Sequence, residues 1–300
     1  FHDQHIVQTG GDQVVMDGVE SRRALGVAFA HVVHATFGMT EEGGGHERGP
    51  NSVNVMTMLH APQATAPRID PDITRRLLRL VDQISTVIVG KRPQIEDCAA
   101  CLIAGGHLLI EDVPGVGKTT LAHAIARSLG LRFSRTQFTA DLLPSDLVGV
   151  SVFERQKDAF VFHPGPVFAN VLLADEINRA GPKTQSALLE AMEEHQVTVD
   201  NQTHMLPAPF FVIATQNPNE QVGTYPLPES QLDRFLMRIS LGYPDRASER
   251  VLLAGADRRE TVAQLTAVMT PAELHEVQRA VQDVRTTDAL VTGVPAGLQT

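Results

Sequence analysis

The stretch that most constrains the fold is residues 107–120, which read HLLIEDVPGVGKTT. Residues 108–110 form an apolar run typical of a buried strand, and the alanine- and leucine-rich residues 121–129 indicate a helix. A glycine loop that ends in Gly117, Lys118 and Thr119 lies between them. Strand, glycine loop and helix in this order are the context that a phosphate-binding P-loop requires. The stretch therefore predicts an α/β fold with a parallel central sheet.

The predicted loop has the chemistry of an anion site. Backbone N–H groups of the loop and of the helix N-terminus converge on one place and favour an anion there. Lys118 would add a point charge for the β- and γ-phosphates of ATP, and the Thr119 hydroxyl could ligate Mg²⁺. The residues expected to contact the nucleotide are Pro114, Gly115, Val116, Gly117, Lys118, Thr119 and Thr120.

One position departs from the pattern G-x-x-x-x-G-K-[ST]. The first glycine of the pattern is replaced by Asp112, so the turn is expected to depend on Pro114 and Gly115. Taken alone, the loop also allows a chance glycine–lysine turn.

Residues 170–176 (NVLLADE) form a second landmark, a hydrophobic strand that ends in two acids. Asp175 would hold Mg²⁺ together with Thr119, and Glu176 would polarise the attacking water. An acidic pair that merely caps a strand is the alternative. The position of Asp175 and Glu176 beyond a P-loop, in an alternating α/β chain, favours the catalytic interpretation.

Two further polar positions follow apolar segments. Residues 210–215 are an all-apolar strand, as parallel sheets require, and Asn217 comes two residues later. Its amide could orient the nucleophilic water, while an Asx-turn into Pro218 is compatible with that role. Arg234 ends a helical turn, where a guanidinium could stabilise charge on a transferred phosphoryl group. A solvated surface arginine is the alternative.

The 300 residues are 43% hydrophobic and 20% charged, as in a soluble globular protein. We predict a disordered or non-native extension over 1–65, an α/β core over 66–242 and a partial helical lid over 243–300. Helices are expected near 69–84, 93–103, 182–194, 245–256 and 271–284. Hairpins are expected near 149–163 and 196–206.

Composition also excludes several classes of function. The net charge of −10 argues against a nucleic-acid-coating surface. The longest apolar stretch is too short to cross a bilayer, and no signal peptide is evident, so a cytoplasmic protein is expected. Cys98 and Cys101 are the only cysteines, and a buried helix face suits them better than a zinc or redox site. His31 and His34 lie in the extension without supporting ligands.

With these landmarks in place, the chain resembles the MoxR family of AAA+ ATPases from about residue 84 to residue 256. The phrases EDVPGVGKT, GPVFANVLLADEINRA and FVIATQNPNEQVGTYPLPESQLDRF carry the resemblance. It implies a P-loop NTPase fold with two β-hairpin insertions and a helical lid, ATP and Mg²⁺ as cofactors, and a hexameric homo-oligomeric ring.

The resemblance also implies roles for single residues. The matching positions are Lys118 and Thr119 as Walker A, Asp175 and Glu176 as Walker B, Asn217 as sensor 1, Arg234 as an arginine finger toward the neighbouring subunit, and Ile88, Val89 and Gly90 as the adenine-contacting segment. The implied function is an ATP-hydrolysing, chaperone-like remodelling motor that assists maturation or metal and cofactor insertion. Its implied partners are protein substrates and proteins with a von Willebrand factor A domain.

Two alternatives remain open. One is a chelatase-type or nucleic-acid AAA+ motor, and the acidic charge disfavours only the nucleic-acid version. The other is a nucleotide-binding assembly protein with little turnover, because the arginine-bearing second half of the lid does not appear by residue 300. Arg279 and Arg285 lie too early to match that motif. If the lid is incomplete, we expect part of its apolar surface to be uncovered.

Overall fold

The structure is a computed structural model that describes residues 5–9, 12–16, 71–218, 223–254 and 258–282. Near the N-terminus, β1 (His5–Thr9) and β2 (Asp12–Met16) pair as an antiparallel hairpin, where the sequence predicted no regular element. The other residues of the predicted extension, including His31 and His34, lie outside the described residues, as does the segment 283–300. The three-part domain division stays a prediction.

A five-stranded parallel sheet forms the centre of the molecule. Its strands are β3 (Leu108–Glu111), β4 (Phe133–Gln137), β7 (Val171–Asp175), β10 (Phe211–Gln216) and β11 (Met237–Ile239). Their order across the sheet is β11-β3-β10-β7-β4. The predicted parallel sheet is confirmed, and its order sets β10 between the P-loop strand β3 and the acidic strand β7.

The sheet is covered on both faces, and its central strands β3, β7 and β10 are apolar except at their C-terminal ends. On β3, Leu108 and Ile110 join one hydrophobic cluster while Leu109 joins the other, as the alternation of side chains along a strand requires. Strands β7 and β10 divide in the same way between the two clusters. Burial on both faces explains why these strands read as continuous hydrophobic runs.

Nine described helices surround the sheet and connect its strands. They are α1 (Pro71–Val87), α2 (Arg92–Ile103), α3 (Lys118–Ser128), α4 (Pro144–Val148), α5 (Pro182–Glu194), α6 (Glu229–Leu232), α7 (Arg246–Ala254), α8 (Arg258–Ala263) and α9 (Pro271–Gln282). The predicted helix at 182–194 has the observed bounds. Helices α4 and α8 were not predicted, because each is too short to show a helical period.

Both predicted hairpins are present. The first consists of β5 (Gly149–Glu154) and β6 (Ala159–Pro164), and the second of β8 (Gln196–Val199) and β9 (Gln202–Met205). Phe162 of the first stacks on His204 of the second, with ring centroids 3.9 Å apart. Phe153 and Phe160 lie opposite each other on the first hairpin, and Phe160 is 73% exposed. The first hairpin therefore has an exposed aromatic edge.

The described C-terminal helices pack against the core. Five apolar side chains of this part are buried in the cluster that also contains α1, α2 and α3: Val262 on α8, Met269 between α8 and α9, and Leu274, Val277 and Val281 on α9. Helix α9 begins with a reciprocal cap, in which Thr270 N–H donates to Glu273 and Glu273 N–H donates to the Thr270 hydroxyl. Val251 on α7 is exposed. These five side chains are covered by the core, whereas the expectation of uncovered apolar surface on an incomplete lid stays a prediction.

Two smaller expectations concern the cysteines and the membrane. Cys98 and Cys101 lie buried on α2 as free thiols, and burial raises the pKa of each. Along the stretches that the structure describes, no helix combines the length and the apolar character needed to cross a membrane.

Candidate functional site

The glycine loop joins the end of β3 at Glu111 to the start of α3 at Lys118. The sequence predicted this helix from residue 121, so its first turn begins three residues earlier than expected. Gly115 and Gly117 have φ angles of 87° and 97°, a left-handed conformation that side chains disfavour. A Cβ at either position would meet no atom within 4 Å, so backbone conformation rather than space requires glycine here. The positive φ angles therefore account for glycine at these two positions of the loop.

Lys118 follows this turn and is half-buried beside acidic groups. Its Nζ donates to the backbone carbonyl of Asp112 at 2.7 Å. Burial lowers the pKa of Lys118, and the nearby carboxylates of Asp175, Asp112 and Glu176 offset part of that effect. The predicted cation and the predicted acidic pair are thus brought together, although 57 residues separate Lys118 from Asp175.

A buried threonine organises the acidic pair. Thr215 on β10 is fully buried, and its hydroxyl donates to Asp175 Oδ1 at 2.6 Å. The hydroxyl oxygen of Thr215 also accepts the N–H of Glu176 at 2.9 Å. Glu176 has a left-handed backbone, with φ 56° and ψ 51°, a conformation that costs a non-glycine residue free energy. Thr215 therefore holds both the carboxylate of Asp175 and the strained backbone of Glu176.

Two arginines contact the acidic pair from neighbouring segments. Arg135 on β4 donates from Nη2 and Nε to Asp175 Oδ2, at 2.7 and 3.2 Å. Arg179 pairs through Nε with Glu176 Oε2 at 3.4 Å. Both oxygens of Asp175 thus have a protein partner.

The oxygen donors of the site suit Mg²⁺ bound together with a nucleotide. Mg²⁺ is usually held by one or two carboxylates, substrate phosphates and waters rather than by a cage of protein ligands. Asp175 would provide the carboxylate and Thr119 the hydroxyl. Over the described residues, no group of three or more His, Cys, Asp or Glu side chains forms a metal cage. This donor set fits a metal that arrives with its phosphates.

Asp112, which replaces the first glycine of the motif, has a buried carboxylate with three partners. Oδ1 accepts the N–H of Val113 at 2.9 Å. Oδ2 accepts the Ser240 hydroxyl at 3.1 Å and the N–H of Gly242 at 2.7 Å. Asp112, which departs from the motif, therefore connects the loop through hydrogen bonds to the segment after β11.

The predicted adenine-contacting residues lie between α1 and α2. Ile88 is buried, Val89 is half-buried and Gly90 is exposed with φ 73°. A Cβ on Gly90 would collide with the Ser248 hydroxyl at the start of α7. This segment therefore lies directly against the C-terminal helices.

The remaining predicted residues are Asn217 and Arg234. Asn217 follows β10 directly, two residues beyond Thr215, and so lies at the same end of the sheet as Asp175. Arg234 follows α6 and forms an ion pair with Glu193 on α5. Glu193 is not part of the cluster around Lys118, which is compatible with an action of Arg234 on another subunit.

Sequence reasoning missed Thr215, Arg135 and the role of Asp112. A signal existed for Thr215, since a hydroxyl inside an all-apolar strand must find a partner once buried. Arg135 gave no comparable signal, because its partner lies on a strand 40 residues away.

Comparison with known proteins decides the family. The ATPase family associated with various cellular activities (AAA) matches residues 107–237. The protein YeaC of Bacillus subtilis is 50% identical over 73% of this chain and 68% of its own length. The chaperone MoxR1 of Mycobacterium tuberculosis is 43% identical over 70% of this chain and 54% of its own length. The chain belongs to the MoxR family of AAA+ ATPases.

A solved structure supports the same fold. A candidate ATPase from Cytophaga hutchinsonii superposes with a TM-score of 0.67 at 40% identity, covering 74% of this chain and 67% of that one. Family membership confirms the predicted P-loop AAA+ fold and ATPase class, and it implies nucleotide binding. The chain spans about half the length of MoxR1, so the activity of a whole MoxR-type protein is for this chain a proposal.

Proposed function

We propose that this MoxR-type chain binds ATP with Mg²⁺ at the 112–120 loop and hydrolyses it to remodel partner proteins. The observation that carries the proposal is the Thr215-linked pair of Asp175 and Glu176 beside Lys118. Lys118 holds the β- and γ-phosphates, and Thr119 and Asp175 hold the metal. Mg²⁺, when bound, neutralises charge on the phosphates.

Glu176 and Asn217 act on water in this proposal. Glu176 accepts a proton from the attacking water, and the bond from its N–H to Thr215 fixes the backbone from which the carboxylate projects. Asn217, at the end of β10, orients that water through its amide. Ile88, Val89 and Gly90 contact the adenine, and the loop residues 114–120 surround the phosphates.

Two substitutions separate binding from chemistry. Lys118→Ala should lose ATP affinity, because the phosphates lose their nearest cation. Glu176→Gln should keep affinity while hydrolysis falls roughly 10²-fold or more, because only proton abstraction is removed. Equilibrium ATP binding and phosphate release are measured on the same preparations. Equal loss of both activities in Glu176→Gln would contradict the role of that residue.

Turnover in this proposal requires a ring, with Arg234 of one subunit acting at the site of the next. The pairing of Arg234 with Glu193 supports this, because it holds the guanidinium outside the subunit's own Lys118 cluster. A hexamer is the proposed assembly. Arg234→Ala should bind ATP and hydrolyse it on the order of 10³-fold more slowly.

Subunit mixing tests the action between subunits. Arg234→Ala and Lys118→Ala should each hydrolyse ATP very slowly when alone, but mixed rings place an intact arginine beside an intact loop. Partial recovery of phosphate release is expected on mixing. Absence of recovery under conditions where labelled subunits exchange would show that Arg234 acts elsewhere.

The proposed client is a protein, either a substrate or a partner with a von Willebrand factor A domain, and the proposed compartment is the cytoplasm. The similarity to a protein named as a chaperone supports this interpretation. The exposed Phe153 and Phe160 give the β5–β6 hairpin an apolar contact surface. Purified chain should show salt-insensitive capture of a client, whereas strongly salt-dependent DNA binding would favour the nucleic-acid motor instead.

A further inference from the structure

The carboxylate of Asp112 lies between the phosphate-binding loop and the segment that leads to the C-terminal helices. It is 7% exposed, and it accepts hydrogen bonds from Val113 N–H, Ser240 Oγ and Gly242 N–H at 2.9, 3.1 and 2.7 Å. Hydrogen bonds to a buried carboxylate are stronger than those to a neutral acceptor. A glycine at this position, as in the common motif, would make none of these three bonds.

The backbone carbonyl of the same residue also contacts Lys118. Its carbonyl oxygen accepts the Lys118 Nζ proton at 2.7 Å, six residues further along the loop. A bound polyphosphate attracts the whole Lys118 ammonium group, which has three donors, and pulls it away from the carbonyl because the phosphate charge exceeds the partial charge of a carbonyl oxygen. Occupancy of the loop therefore changes the bonding of Asp112 directly.

The partners on the other side belong to residues 240–245, which we call the linker and which join β11 to α7. The linker has a second attachment, because Lys91 Nζ donates to the Tyr243 carbonyl at 2.8 Å. At its end, Asp245 Oδ1 accepts the Ser248 N–H and caps α7. Ser248 in turn lies against Gly90. A displacement of the linker would thus move the start of α7 against the adenine-contacting segment.

We propose that Asp112 is a positioning residue that couples phosphate occupancy of the loop to the linker and α7. This inference rests on the proposed nucleotide site and deepens it. When phosphate draws Lys118 away from the Asp112 carbonyl, the loop shifts at residue 112. The carboxylate transmits this shift to Ser240 and Gly242 because both are bonded to the same oxygen, Oδ2.

Backbone hydrogen exchange on the full chain, with and without saturating ADP and Mg²⁺, tests the coupling. In the unaltered chain ADP should slow exchange in the loop 112–118, at Gly242 and in α7. In Asp112→Ala, ADP should still slow exchange in the loop. At Gly242 the slowing of exchange by ADP should fall by about tenfold or more, a factor that corresponds to the free energy of one hydrogen bond to a charged acceptor.

Two further variants sharpen the test. Ser240→Ala removes one of the two bonds to Oδ2 without altering the loop, and it should reduce the linker response partially. Lys91→Ala is the matched control, because it removes the other attachment of the linker. It should accelerate linker exchange with and without ADP while preserving the difference between the two states.

The outcomes distinguish this inference from the function on which it rests. If ADP protects the loop of the unaltered chain but not the linker, the coupling is refuted and the nucleotide site stands. A full linker response in Asp112→Ala also refutes it, and should that variant fail to fold, a full response in Ser240→Ala does the same. If ADP protects neither region of the unaltered chain, the nucleotide site itself is refuted, and the coupling with it.

Discussion

Replacing Thr215 by valine should separate the hydroxyl from the volume of the side chain at the centre of the site. Valine fills the same space but can neither donate to Asp175 nor accept the N–H of Glu176. Loss of a hydrogen bond to a charged acceptor costs about 1.5–3 kcal/mol, and an orphaned buried N–H costs about 1–3 kcal/mol. Asp175 retains Arg135 as a partner, which limits the first cost. We therefore expect about 2–4 kcal/mol of lost stability for Thr215→Val.

The same change should reduce hydrolysis. Without the bond from its N–H, the left-handed backbone of Glu176 loses the contact that opposes its strain. A carboxylate displaced by about 1 Å loses roughly 10²-fold in rate. ATP affinity should be affected much less, because Lys118 and the loop are unchanged.

Thr215→Ser provides the matched control. Serine keeps the hydroxyl and loses one methyl group, for which about 1 kcal/mol is expected. Urea unfolding at constant slope gives the stability difference, and phosphate release beside equilibrium ADP binding gives the functional one. If Thr215→Val is as stable and as active as Thr215→Ser, the hydroxyl does not organise the acidic pair and the reasoning is refuted.

Three other contacts lead to further predictions. Arg135→Ala should lower the Mg²⁺ concentration for half-maximal ATP binding severalfold, because the guanidinium no longer competes for Asp175; Mn²⁺ binding followed by electron paramagnetic resonance measures this, and an unchanged midpoint would contradict it. Glu273→Gln should destabilise the chain at neutral pH but not in acid. Hydrogen bonds from Thr270 and then from Arg76 hold the folded pKa of Glu273 below its ordinary value of 4.5. The stabilisation by the Glu273 carboxylate is therefore complete above that pH and disappears as the pH falls through the lower folded pKa. Chemical unfolding at several pH values tests this, and a loss of stability that does not depend on pH would count against it. Gly90→Ala should weaken ATP binding and destabilise the packing of α7, because a Cβ would strain the left-handed backbone and collide with Ser248. Isothermal titration of ATP measures the affinity, and an unaltered affinity would exclude close packing between residue 90 and α7.

The order of elements and the main candidate residues could be predicted from local sequence alone. A buried parallel strand must be apolar along its whole length, so β3, β7 and β10 stand out in the sequence. The polar residues directly after each strand are then equally visible. Because parallel strands end at one edge of a sheet, the loop, the acidic pair and Asn217 all follow strands at the same edge.

The partners of these residues could not be predicted, because local periodicity encodes burial but not the identity of a neighbour. The hydroxyl of Thr215 indicates that some partner is needed, but only the order of the strands places it beside Asp175. Asp112 reads as a defect in a motif, yet its carboxylate is bonded to a segment 128 and 130 residues away. The sequence by itself therefore determined the fold, the P-loop and the acidic strand end. Only the tertiary structure decided which polar groups satisfy one another, because buried donors and acceptors pair by proximity after the sheet has formed.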